Sequence, residues 1–143
     1  MFGPHLTLDC YGCDEEKLND LDFILKFLDE LVVLIGMHKI SGPHAIKYEG
    51  NPNSFDKGGI SAIVLIAESH ISIHTFPFNN YMSIDIFSCK DFDIDKAIEF
   101  TIKKFGVKKY EKNFFSRGKE FPKEVNLAMS IVRKKRKKLA RKF

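Results

Sequence analysis

Residues 60–89 read ISAIVLIAESHISIHTFPFNNYMSIDIFSC, and their spacing decides the fold. Ile60 to Ala67 is a nearly unbroken apolar run of strand length, suited to burial. From His70 to Phe76 the pattern alternates. Ile71 and Ile73 point one way, and His70, Ser72 and His74 the other, because alternate side chains of a strand share a face. Met82 to Cys89 alternates again, with Met82, Ile84 and Ile86 opposite Ser83, Asp85, Phe87 and Cys89. The connection PFNNY between the last two runs is turn-rich and of hairpin length. Tight connections demand antiparallel pairing, so the two polar rows are expected to line one side of a sheet and the isoleucines the other.

Working outward, His5 to Tyr11 alternates with Leu6 and Leu8 on one face and reads as a further strand, ended by Gly12. Asn19-Asp20 can cap a helix that carries Leu21, Ile24, Phe27, Leu28, Leu31 and Val32 at helical spacing, with Gly36 as its stop. Ala45 to Tyr48 is expected to be a strand, and EGNPNSFDKGG after it a loop. Asp91 and Asp93 lead a second helix through Ala97, Ile98, Thr101 and Phe105 to Gly106, their charge suited to the positive end of its dipole. Val107 to Phe115 reads as a last strand, and Pro122 suits the first turn of a C-terminal helix. The expected fold is therefore α+β: a two-layer sandwich with helices packed on one face of a largely antiparallel sheet.

At 143 residues the chain is sized for one domain with a proper core. No apolar run approaches the ~18–20 residues of a membrane span, and the start MFGPHLTLD lacks the basic run of a secretory signal, so a cytoplasmic location is expected. The net charge of +4 hides an asymmetry. The last eleven residues, RKKRKKLARKF, hold eight of the 23 basic residues and no acidic one, leaving 15 basic against 19 acidic, or −4, for the rest. We read residues 1–122 as the functional domain and 123–143 as a basic helical extension. Such a charge run is usually a solvated face, but could meet nucleic acid, an anionic surface or an acidic chain. The chain has three cysteines, Cys10, Cys13 and Cys89. CYGC at residues 10–13 ends a strand rather than opening a helix, which does not suit a redox dithiol, and there is no second pair to complete a zinc site. Packed thiols are expected at Cys10 and Cys13.

The polar row could be a solvated sheet face, which suits Ser and His. Cys89, Phe76 and Phe87 do not suit water unless another subunit covers them. Hydroxyl, imidazole and thiol together can do covalent and acid–base work. A Ser/His/Asp hydrolase can be assembled formally from Ser69 or Ser72, His74 and Asp85, but G-x-S-x-G is absent, as are Walker A, G-x-G-x-x-G and H-E-x-x-H.

The segment GISAIVLIAESHISIHTFP, followed by SIDIFSC, resembles the core of the small prokaryotic S-adenosylmethionine decarboxylases, from GPHLTLD near the start to RGKEFP near residue 122. The resemblance implies an inactive proenzyme that cuts itself between Glu68 and Ser69, leaving a pyruvoyl group where Ser69 was, and so separate β and α chains. It implies that His74 and Ser61 serve processing, that Cys89 is the catalytic proton donor, and that Phe55 stacks on the substrate's adenine. The pyruvoyl carbonyl would form a Schiff base with an amino-acid-type substrate and act as an electron sink. A homodimer of αβ protomers is implied; no membrane partner is expected, and the basic tail leaves nucleic acid open.

One position departs from the pattern. The motif continues H-T-[WF]-P-E, and the glutamate binds both ribose hydroxyls; here Phe78 stands there. Two unpaired hydroxyls would each cost about 1–3 kcal/mol. Asn79 or Asn80 could substitute, or the substrate could be L-arginine or L-ornithine, which members of the family also decarboxylate. A partner subunit that does not process itself is the remaining expectation.

Overall fold

The computed structural model describes residues 3–121 and 125–140. It contains β1 (Gly3–Tyr11), α1 (Glu15–Leu18), α2 (Leu21–Leu34), β2 (Lys39–Tyr48), β3 (Gly59–Ile66), β4 (Ser69–Phe76), a single 3-10 turn at Pro77–Asn79, β5 (Tyr81–Ser88), α3 (Ile94–Phe105), β6 (Lys109–Arg117) and α4 (Val125–Ala140). The six strands form one sheet in the order β2-β3-β4-β5-β1-β6. Every neighbouring pair is antiparallel, as the hairpin spacing required.

The helices start and stop where side chains satisfy their ends. The Asp20 carboxylate accepts from the Phe23 N–H at α2 (3.1 Å) and Asp93 from the Lys96 N–H at α3 (3.0 Å), using orphan donors of each first turn. Gly106 ends α3 in the left-handed conformation, at φ 61°, which costs a glycine nothing. α2 and α3 lie on one sheet face. There Leu6, Leu8, Val64, Ile71, Ile73, Ile84 and Ile86 are buried with Ile24, Phe27, Leu28, Leu31 and Phe105. The Phe27 and Phe105 rings meet edge to face at 4.8 Å.

Three features differ from the sequence reading. α1 is one short turn, made because the Asp14 carboxylate accepts from the Glu16 and Lys17 N–H groups. β2 begins at Lys39 rather than Ala45 and carries Pro43. It tolerates the proline because it is an edge strand with register shifts between Lys39, Ser41 and His44. β6 begins at Lys109. The expectation for Pro122 lies outside the described residues. No helix among the described residues is long and apolar enough to cross a membrane.

Among the described residues, the opposite sheet face is left uncovered. Leu65, His70, Phe87, His5 and Phe115 form one row across five strands. Ile46, Ile63, Leu65 and Phe115 on this face are all exposed.

Candidate active site

β3 and β4 are joined by only two residues, Ala67 and Glu68, with Ile66 opposite Ser69. The turn is held from both sides. On one side the Ala67 N–H donates to the His38 carbonyl at 2.7 Å. The buried Glu68 carboxylate accepts from the His38 backbone N–H and lies against its ring Nδ1, both at 2.9 Å. On the other side the Glu68 carbonyl accepts from the Cys89 N–H at 2.7 Å. Burial works to raise the Glu68 carboxyl pKa, but the hydrogen bonds from the His38 ring and backbone outweigh it and hold it below its ordinary value.

Ser69 follows with φ 148°. That region is all but closed to residues with a Cβ and costs about 1–3 kcal/mol. The strained residue and the restrained carbonyl therefore belong to the same peptide bond. A Ser69 hydroxyl attacking that carbonyl would place the developing negative charge on an oxygen already bonded to the Cys89 N–H, the arrangement that stabilises an oxyanion.

The Cys89 backbone is itself fixed. Ser88 continues the buried row of Met82, Ile84 and Ile86 and is fully buried. Its hydroxyl donates to the Lys90 carbonyl (2.7 Å) and accepts from the Lys90 N–H (2.9 Å), closing a turn around Cys89. β1 runs beside β5 in the sheet. A Cβ on Gly3 would sit 1.9 Å from the Ser88 carbonyl oxygen and 2.8 Å from the Cys89 Cα, so only glycine fits there.

His74 and Ser61 form a second group. They face each other across β3 and β4, with the Ser61 hydroxyl 2.9 Å from the His74 Nδ1, which fixes the ring and leaves Nε2 for other work. This pair is not near Ser69 of the same chain. They are five positions apart along β4, about 17 Å at the usual strand rise.

A third group lies at the His74 end. Tyr11, Phe55, Phe76, Asn79 and Tyr81 line a hollow of about 450 Å³. Phe55 is 86% exposed. The Tyr81 hydroxyl donates to Asp9 at 2.8 Å, and burial, with that bond and the Asp9 charge, raises its pKa. Phe78 is 69% exposed and lines a neighbouring depression with Glu15, Glu49 and Lys57. The Asn80 amide donates to the Cys13 carbonyl at 3.0 Å, which leaves Asn79 as the amide in the Phe55 hollow. Cys10 and Cys13 are buried thiols. Burial pushes Cys10 up to about 12 and Cys13 up to about 11, so neither forms a reactive thiolate. Among the described residues no cluster of three or more His, Cys, Asp or Glu could hold a metal ion.

Of the residues singled out from sequence, Glu68, Ser69 and Cys89 come together, and Ser61 joins His74. Phe55 and Phe78 occupy separate hollows. The sequence reading missed His38, Ser88 and Gly3. Ser88 alone left a signal, a hydroxyl on the buried parity of its strand.

The family model described as S-adenosylmethionine decarboxylase matches residues 4–118. An S-adenosylmethionine decarboxylase proenzyme of a Geobacillus species is 34% identical over 129 residues, covering 90% of this chain and 97% of that protein. The proenzyme of Bacillus velezensis is 37% identical over 98 residues, 68% of this chain and 71% of the other. The crystal structure of the adenosylmethionine decarboxylase from Aquifex aeolicus aligns with a TM-score of 0.67 at 30% identity, covering 86% of this chain and 95% of that one.

Proposed function

The chain belongs to the S-adenosylmethionine decarboxylase family and is a pyruvoyl-dependent decarboxylase, and we propose that it is made as a proenzyme that cuts itself between Glu68 and Ser69 and then converts S-adenosylmethionine to its decarboxylated form and CO2. The observation that carries this reading is the strain at Ser69, located on the same peptide bond whose carbonyl is held by the Cys89 N–H.

The cleavage needs only groups of this chain and water. The Ser69 Oγ bonds to the Glu68 carbonyl carbon and its proton leaves to a base. The peptide C–N bond breaks and the nitrogen takes a proton, so amide becomes ester. Loss of the Ser69 α-proton then expels the main-chain α-carboxylate of Glu68 from the Ser69 Cβ, and water converts the remaining enamine to a ketone with release of ammonia. His74, oriented by Ser61, is the base we assign to proton removal. The pyruvoyl group so formed supplies a carbonyl that takes up the substrate amine and accepts the electrons released with CO2. Ser69 as precursor fits that role, because the carbonyl before it is already restrained by the backbone N–H of Cys89. Cys89 holds the proton that must return to the substrate's α-carbon.

Phe55 offers an exposed ring for stacking an adenine. Asn79, in the same hollow, can both accept from and donate to a ribose diol, where the motif's glutamate is replaced by Phe78.

A homodimer makes the site complete. Ser69 and Cys89 lie toward one end of β4, and the His74–Ser61 pair and the Phe55 hollow toward the other. A two-fold pairing through the uncovered face would lay one end of each chain over the other end of its copy. The exposed Ile46, Ile63, Leu65 and Phe115 supply the apolar area for it.

The test is the intact mass of purified protein under denaturing conditions. We expect fragments 1–68 and 69–143, the latter beginning in a pyruvoyl group, and a single 16.5 kDa species for Ser69→Ala. CO2 release is then measured with S-adenosylmethionine, L-arginine and L-ornithine side by side. An uncut wild-type chain overturns the self-processing claim. Release from arginine or ornithine alone overturns the substrate.

A further inference from the structure

His38 belongs to no motif and stands thirty residues before Glu68 in the chain, yet it grips the scissile turn at three points. Its N–H bonds to the Glu68 carboxylate, with its ring Nδ1 against the same group, and its carbonyl accepts from the Ala67 N–H. The anchor is firm. The Met37 N–H donates to the Val32 carbonyl at the end of α2 (2.9 Å), and Lys39 is already paired with Ile66. The His38 ring is otherwise idle: its side chain is 75% exposed and contributes nothing to the core.

We propose that His38 is a positioning residue for self-cleavage, clasping the Glu68 side chain so that the strained Glu68–Ser69 peptide cannot relax before the Ser69 hydroxyl attacks. The proposal rests on the reading that this chain cuts itself. The strain at Ser69 can dissipate in two ways. The 68–69 peptide plane can turn, which the Cys89 N–H on its carbonyl opposes, or the Cα of residue 68 can shift and carry the plane with it. The Glu68 side chain leaves from that Cα, so with its carboxylate pinned to His38 the shift must break charge-assisted hydrogen bonds. The strain is therefore retained for the step it assists. The same clasp keeps Glu68 in place once the cut makes it a chain end.

The experiment follows cleavage of the full chain over time after cell-free synthesis, for wild type, His38→Leu, His38→Asn, Glu68→Ala and the His38→Leu/Glu68→Ala double variant. Asparagine can place a donor where the His38 Nδ1 stands; leucine cannot. We expect His38→Leu to slow cleavage by about tenfold and His38→Asn to restore it to near the wild-type rate. The double variant should be no slower than Glu68→Ala, because Glu68→Ala already removes the ring contact that His38→Leu removes. Unfolding midpoints of the same substitutions on an uncleavable Ser69→Ala chain separate a positioning effect from a loss of fold. Wild-type speed in His38→Leu overturns the proposal while leaving self-cleavage standing, as does equal slowing by leucine and asparagine with unchanged midpoints. A wild-type chain that stays whole overturns both readings, so the two failures are distinct.

Discussion

At the scale of single residues, the sequence spoke clearly where a motif was contiguous and not otherwise. Glu68, Ser69 and Cys89 were named through the family resemblance that their motif carries, and the structure brings them to one peptide bond. His38 was invisible because its contact with Glu68 joins two strand ends by tertiary folding, and no short-range pattern encodes that. The Glu68 carboxylate makes a prediction about acid. Its folded pKa lies below the ordinary value of 4.5. A depressed carboxylate contributes stability that is whole above its unfolded pKa and is lost as pH falls through the folded one. On the Ser69→Ala background, Glu68→Gln should therefore lower the denaturant midpoint at pH 7. The gap between the two proteins should begin to narrow as pH falls past about 4.5 and close as it falls through the lower folded pKa, and a gap that does not change on acidification would show that the ionised clasp is not its source.

At the scale of elements, parity explains why so much of the sheet was legible. Strands β4 and β5 alternate cleanly, and one buried face forces their register, since a slip of one residue would turn their isoleucines Ile71, Ile73, Ile84 and Ile86 to water. The misplaced start of β2 has the opposite cause. Both its faces are largely exposed and its pairing is irregular, so burial leaves no period to read. α1 was missed because four residues are too few to show one. What fixes α1 against the sheet is Thr75. Its buried hydroxyl accepts from the Ile60 N–H at 2.9 Å and donates to the Leu18 carbonyl at 2.8 Å, so β3, β4 and the end of α1 meet on one oxygen. Thr75→Val keeps the shape and removes both bonds, leaving a buried N–H and C=O without that partner. We expect a loss of about 2 kcal/mol in unfolding free energy. Urea titration of the Ser69→Ala protein with and without the change would measure it, and a loss under a few tenths would mean the hydroxyl is dispensable.

For the whole molecule, the distribution of groups along β4 matters more than any one of them. Fold class was legible because hairpins, caps and a single apolar face all agreed. The assembly of the site was not, because adjacency in sequence hides distance: Ser69 and His74 are near neighbours in the chain but about 17 Å apart along a strand. A base must come within hydrogen-bond reach of the proton it removes. If His74 acts in processing, it must therefore act on the Ser69 of another copy. The basic helix α4 lies beyond the matched residues 4–118, and the chemistry proposed here asks nothing of it. The decisive prediction concerns mixed dimers. His74→Ala alone keeps Ser69 but lacks the base, and Ser69→Ala keeps the base but has nothing to cut; each should remain whole when made alone. Made together with distinguishable tags, they form mixed dimers in which the intact His74 of the Ser69→Ala chain faces the Ser69 of the other. Cleavage should then appear in the His74→Ala chain only, in the fraction that has paired. If that chain stays whole although mixed dimers are recovered by both tags, His74 does not act across the interface. If it is cut when made alone, His74 is not the processing base at all.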